Sequence, residues 1–221
     1  MTDSGLAVIF DLDGVLVDTA QFHLAAWRRI AGELGFEFDN SVGESLKGVG
    51  REAALRVLLR FSGIELTPAQ IAETTQRKNV YYNELLRGLD GSALLPGAAT
   101  SLRWLREHEI PVALASASRN AQTILDSTGI TPLFDAVVDG TTVTAAKPDP
   151  TVFLVAAGEL GVDPAACIVF EDAIAGVEGA LRAGCRVIGI GDPAILTAAE
   201  AVVPSLAYVA WPELLGVEVA P

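Results

Sequence analysis

Short apolar runs at residues 8–10, 112–115, 136–138, 168–170 and 187–190, with a sixth at Tyr208 and Val209, read as strands. From residue 91 onward they alternate with amphipathic helical stretches, such as the one around Leu102 and Leu105. Alternation of this kind predicts a parallel, doubly wound sheet. The pattern between residues 19 and 90 is helical throughout. Asp18 or Thr19 is placed to cap a helix running to about Gly35, with Phe22, Ala26, Ile30 and Leu34 along one side. A second helix spans Arg51–Ser62, with Leu55, Leu58 and Leu59 on one face. A third starts at Thr67-Pro68, an N-cap followed by proline at the first helical position, and continues to Gly88. The expected fold is therefore α/β. Residues 1–18 and 91–221 form a Rossmann-like doubly wound core, and residues 19–90 form an all-helical cap inserted into it.

Composition narrows what such a fold is for. The chain has 221 residues, enough for one sizeable core and a smaller inserted domain. Hydrophobic residues make up 51%, yet no apolar run approaches the ~18 residues that suggest a membrane span. The first five residues carry no basic leader, so a cytoplasmic location is expected. Cys167 and Cys185 fall near predicted strands and read as small buried residues rather than a disulfide. A net charge of -13 argues against a nucleic-acid partner. Any anion site must then be made locally positive against the global field. The chain has twelve arginines and only three lysines, Lys47, Lys78 and Lys147. Where surface cations are almost all Arg, the lysines mark positions that need a compact ammonium, unless three have merely survived by chance.

The strand at residues 8–10 ends in two carboxylates one residue apart, Asp11 and Asp13, followed by Gly14. Ligands of open α/β sheets bind beyond the carboxyl ends of the strands, so these side chains fall in the crevice where chemistry occurs. Such a pair suits a divalent cation, a covalent phosphoryl intermediate or both, although it would also suit a helix cap. Other strand exits carry polar groups too. Residues 112–115 lead into Ser116-Ala117-Ser118-Arg119-Asn120, whose hydroxyls and backbone N–H groups at a helix start suit an anion, while Ser118 also suits a cap. Lys147 lies between Ala146 and Pro148 on the approach to a helix. The strand at 168–170 ends in Glu171-Asp172.

These four segments, in this order, resemble the motifs of the haloacid-dehalogenase-like phosphotransferases. The resemblance implies that Asp11 is phosphorylated and that Asp13 acts as general acid and base. It makes Ser116 a partner of the transferring phosphoryl group and Lys147 its counter-charge. One Mg2+ is implied, held by Asp11, the Asp13 carbonyl and Asp172, with Glu171 as a second candidate from that pair. Within the cap, Gln21-Phe22-His23-Leu24-Ala25-Ala26-Trp27, Leu46-Lys47-Gly48-Val49-Gly50-Arg51 and Arg77-Lys78-Asn79 resemble the β-phosphoglucomutase family more narrowly. That resemblance implies substrate contacts from Thr19, Trp27, Lys47, Gly48, Val49, Arg51, Lys78, Ala117, Ser118, Arg119 and Asn120. It makes His23 a partner that positions the acid-base Asp. Two departures stand out: Gly50 lies where many relatives carry Ser, and Arg119 where a lysine is common. The activity implied is interconversion of β-D-glucose 1-phosphate and glucose 6-phosphate by a monomeric enzyme, through β-D-glucose 1,6-bisphosphate, which also primes the enzyme. A magnesium-dependent sugar-phosphate phosphatase and a non-catalytic sugar-phosphate sensor remain open at this point.

Overall fold

The protein is described by a computed structural model over residues 5–46 and 49–217. Its chain divides into two units, one of Met1–Asp18 with Asp90–Pro221 and one of Thr19–Leu89. The first unit is built on a six-stranded parallel sheet. Its strands are β1 (Ala7–Phe10), β2 (Val112–Ala115), β3 (Ala136–Val138), β4 (Cys167–Glu171), β5 (Arg186–Ile190) and β6 (Ala201–Val203). The spatial order is β3-β2-β1-β4-β5-β6. Strand order therefore reverses at β1, and the crevice at such a switch point is where doubly wound sheets bind ligands. All four residues of β1 are fully buried, as expected of a central parallel strand covered on both faces.

The second unit holds α1 (Ala20–Glu33), α2 (Asn40–Glu44), α3 (Arg51–Ser62) and α4 (Pro68–Leu86). Its core gathers Trp27, Ile30, Leu55, Leu58 and Ile71. The α4 start follows its sequence signal closely. The Thr67 side chain accepts from Gln70 N, the Gln70 side chain accepts from Thr67 N, and Pro68 opens the helix. Such a cap is worth about 1 kcal/mol. The α1 start differs: Thr19 occupies the N-cap but its side chain makes no capping bond, and its Oγ1 is buried without a hydrogen-bond partner among the described residues. Helix α2 has no counterpart in the sequence pattern. At five residues it is too short to show periodicity, and Asp39 holds it by accepting from the Ser41 and Val42 N–H groups.

The remaining helices of the first unit are α5 (Ala98–Glu107), α6 (Ala121–Thr128), α7 (Thr151–Leu160), α8 (Ile174–Ala183) and α9 (Trp211–Leu215). On one sheet face Ile9, Val169 and Val187 pack with Phe153 and Ala156 of α7 and Val177 of α8. Cys167 and Cys185 lie in the same cluster, buried and free of any disulfide. The final strand is a correction to the sequence reading. Leu206–Tyr208 is a 3-10 turn, and the sixth strand is Ala201–Val203, stopped by Pro204. Edge strands of three half-exposed residues carry little periodic signal. Among the described residues no helix is long and apolar enough to cross a membrane.

Candidate active site

Asp11 follows β1 directly, and its N–H donates to the Phe170 carbonyl at 3.0 Å, which fixes the nucleophile candidate against the end of β4. Its carboxylate is buried, as are Lys147 and Glu171. Lys147 Nζ donates to Asp11 Oδ1 at 2.5 Å, to the Ala115 carbonyl at 3.1 Å and to Glu171 Oε1. An ammonium has three N–H groups, and all three are thereby used, which a planar guanidinium would not match at a single point. The Phe153 ring lies 5.0 Å from the same nitrogen. Burial alone would lower the Lys147 pKa, but the charges and hydrogen bonds of Asp11 and Glu171 outweigh it and hold the ammonium above its ordinary range.

Glu171 is held at both ends. While Oε1 accepts from Lys147, Oε2 accepts from Ala173 N at 3.0 Å. Helix α8 presses so closely on it that a Cβ at Gly176 would lie 1.9 Å from Glu171 Cδ. A second close approach fixes Asp172: Gly14, at φ +84°, would place a Cβ 2.0 Å from Asp172 Oδ2, so that turn admits only glycine. Beyond Gly14 the chain folds back, with Gly14 N donating to Val17 O and both Leu16 N and Val17 N to Leu12 O. Asp13 sits half-buried at the start of this turn.

Asp11, Glu171 and Asp172 each offer an oxygen within 4.8 Å of the others. Burial, followed by the charges of Glu171, Asp172 and Asp13, pushes the Asp11 carboxyl well above the ordinary carboxylate range, with Lys147 pulling the other way. Two of these carboxylates, Asp11 and Glu171, thus share one ammonium. Surplus negative charge on an oxygen-only donor set fits a hard divalent cation such as Mg2+, which takes one or two carboxylates and keeps waters.

Ser116 leaves β2 beside this cluster, its N–H donating to Val138 O at 2.9 Å. Its hydroxyl is buried and accepts from Ser118 N at 3.1 Å, and Ser118 Oγ accepts from Asn120 N at 3.2 Å. The hydroxyls thus wind the loop into α6, while Ala117 and Arg119 are exposed. The capping reading of Ser118 and the anion-site reading of the loop are compatible, since one turn serves both.

In the helical unit, α1 and α4 bring His23, Trp27, Lys78 and Tyr82 together. Lys78 is 2% exposed, with Nζ 2.6 Å from His23 Nδ1, 4.6 Å from the Tyr82 ring centroid and 5.3 Å from that of Trp27. His23 stacks on Tyr82 at 4.1 Å. An ammonium can only donate, so Nδ1 is the acceptor and Nε2 carries the proton. Burial, then the charges of Lys78 and Arg51, holds the imidazole pKa well below its ordinary value, so the ring is neutral near pH 7. Tyr82 is not singled out by the sequence pattern. Its one signal is its position one turn beyond Lys78, matching that of Trp27 one turn beyond His23.

Arg51 is the first residue of α3, whose N-cap Gly50 is extended and makes no side-chain cap bond. A cation at a helix N-terminus opposes the helix dipole, whereas an anion bound there would satisfy both the dipole and the guanidinium. Val49 is exposed beside it. Lys47 and Gly48 lie outside the described residues.

A family model for haloacid dehalogenase-like hydrolases matches residues 6–184. A β-phosphoglucomutase from Bacillus subtilis is 44% identical over 199 residues, 89% of this chain and 88% of its own. A fructose-1-phosphate phosphatase from Escherichia coli is 31% identical over 183 residues, 83% of this chain and 95% of its own. Among solved structures, a β-phosphoglucomutase from Clostridium difficile is similar at a TM-score of 0.90 and 34% identity, covering 96% of each chain.

Proposed function

This chain belongs to the haloacid dehalogenase-like hydrolase family, and on that premise we propose that it is a β-phosphoglucomutase, interconverting β-D-glucose 1-phosphate and D-glucose 6-phosphate. The observation that carries the reading is Arg51 at the start of α3, where a bound anion would satisfy the helix dipole and the guanidinium together. A bisphosphate needs a second phosphate grip that simple hydrolysis does not. The 44% identity to the Bacillus subtilis enzyme supports the same choice.

Asp11, the Asp13 carbonyl and Asp172 would hold Mg2+, with Glu171 beside them. When bound, the ion offsets negative charge on the phosphoryl group. Phospho-Asp11 donates its phosphoryl group to the sugar 6-hydroxyl. The bond from phosphorus to the Asp11 oxygen breaks as that to O6 forms, and the hydroxyl proton passes to Asp13. The product is β-D-glucose 1,6-bisphosphate. After it reorients, an Asp11 oxygen takes the phosphoryl group from O1, and Asp13 returns the proton to that oxygen. Lys147 supplies a fixed positive charge through both transfers, and Ser116 with the loop to Asn120 binds the moving group. His23 positions Asp13. Arg51 with Lys47, Gly48 and Val49 holds the phosphate not being transferred. Thr19, Trp27, Lys78, Ala117, Ser118 and Arg119 contact the sugar or its phosphates. The bisphosphate also primes Asp11, and the enzyme acts as a cytoplasmic monomer.

The test is a product ratio. With β-glucose 1-phosphate, Mg2+ and trace bisphosphate, glucose 6-phosphate should exceed free phosphate. The second reading, a sugar-phosphate phosphatase, is favoured by the 31% identity to the Escherichia coli fructose-1-phosphate phosphatase. Free phosphate as the main product would establish it instead.

A further inference from the structure

We propose that Trp211, the first residue of α9, is a positioning residue for the carboxylate cluster and acts through Phe10 and Phe170. Phe10 immediately precedes Asp11 and Phe170 immediately precedes Glu171. The two are register partners across β1 and β4. Strand alternation sends their rings to the sheet face opposite Ile9 and Val169, which pack against α7 and α8. There the rings stack at 5.2 Å with planes 22° apart. The Trp211 indole covers the pair, 5.2 Å from Phe170 and 6.2 Å from Phe10.

The indole is itself anchored. Its Nε1–H donates to the buried Ser101 Oγ of α5 at 3.0 Å, and Trp104 of the same helix stacks on it at 6.2 Å. Helix α9 has only five residues, too few to hold its place by helix propensity. Trp211, 6% exposed, docks it together with Leu215. The consequence lies on the opposite face. Lys147 reaches Asp11 and Glu171 with one nitrogen, so it bridges them only while the ends of β1 and β4 keep this register. The aromatic pair under those two residues, clamped by Trp211, holds the strand ends together where the Asp11 N–H meets the Phe170 carbonyl.

This rests on the functional reading above only for its turnover measurement. Three variants separate the contributions: Trp211→Leu removes the ring, Trp211→Phe keeps a ring without its donor, and Ser101→Ala removes the acceptor. In Trp211→Leu, kcat should fall about 10- to 100-fold, the scale of small misplacements at a reacting centre. Its Mg2+ affinity, measured by calorimetric titration, should fall about 10-fold or more, as when partners behind metal ligands are lost. KM should change much less than kcat. Trp211→Phe should recover most of both losses, and Ser101→Ala should lie between. A Trp211→Leu protein that melts at lower temperature yet keeps wild-type kcat and Mg2+ affinity overturns the proposal, since Trp211 would then only fill the core. Should Trp211→Leu not fold, wild-type kcat and Mg2+ affinity in both milder variants overturn it equally. The Mg2+ titration needs no sugar phosphate, so its outcome does not depend on whether the enzyme is a mutase.

Discussion

Lys147 in the sheet unit and Lys78 in the helical unit are both buried, yet their surroundings differ. Lys147 donates to two carboxylates and a carbonyl, whereas Lys78 meets a neutral imidazole and the faces of two aromatic rings. The first ammonium offsets part of a surplus of negative charge and leaves room for a cation. The second sets the tautomer of His23 and, after burial and together with Arg51, keeps it uncharged. One residue type thus does two jobs: charge balance where phosphoryl chemistry is proposed, and control of a proton's position where substrate recognition is proposed.

The sharpest way to break that contrast is Lys147→Met in metal-free protein. Removing one partner of a buried ion pair strands the others, so denaturant unfolding should show a loss of about 3–5 kcal/mol. Mg2+ should restore part of it, since the surplus charge would then be neutralised. A stability unchanged by the substitution would mean that Lys147 does not offset this cluster.

Asp13→Asn should lower turnover by roughly 10²-fold or more, the usual scale for a lost general acid and base. Its Mg2+ affinity should persist, because the proposed ligand is the unchanged backbone carbonyl. If affinity falls while turnover does not, the side chain is a ligand and the acid-base role is wrong.

On the helical side, Arg51→Ala should reduce glucose 6-phosphate formation on the order of 10- to 100-fold, as expected for a lost charged hydrogen bond of ~1.5–3 kcal/mol. The ratio of free phosphate to glucose 6-phosphate should rise. Equal slowing of both products would remove Arg51 from the distal-phosphate role.

The smallest effect concerns His23, whose folded pKa is held down by burial and by the charges of Lys78 and Arg51. The unfolded imidazole, near 6.5, then binds a proton more readily than the folded one. The His23 contribution should be complete above about pH 6.5 and be lost as pH falls toward the lowered folded value. His23→Gln should flatten this acid limb, and Lys78→Met should raise the His23 pKa in an NMR titration. An imidazole that titrates normally in the wild type would contradict the neutral assignment.

Much of this was legible in the sequence for physical reasons. Continuous apolar runs gave the buried strands around β1, and the placement of Asp11, Ser116 and Asp172 at strand exits, with Lys147 on the approach to a helix, identified the crevice. What stayed hidden was carried by groups without a local signature. The Ala115 carbonyl that completes the Lys147 shell is backbone, and Tyr82 and Trp211 are aromatic residues that act only through tertiary neighbours. Likewise β6 is an edge strand of three residues, and α2 is one turn held by an Asp cap.

The central claim is that Asp11, fixed by Lys147, is the group that carries the phosphoryl. The most direct measurement is acid quenching during turnover, followed by proteolysis and mass spectrometry of the peptides. The phosphoryl group should map to Asp11 in the wild type, with none trapped and no turnover in a folded Asp11→Asn variant. A phosphoryl group on another residue, or normal turnover by Asp11→Asn, would contradict the account.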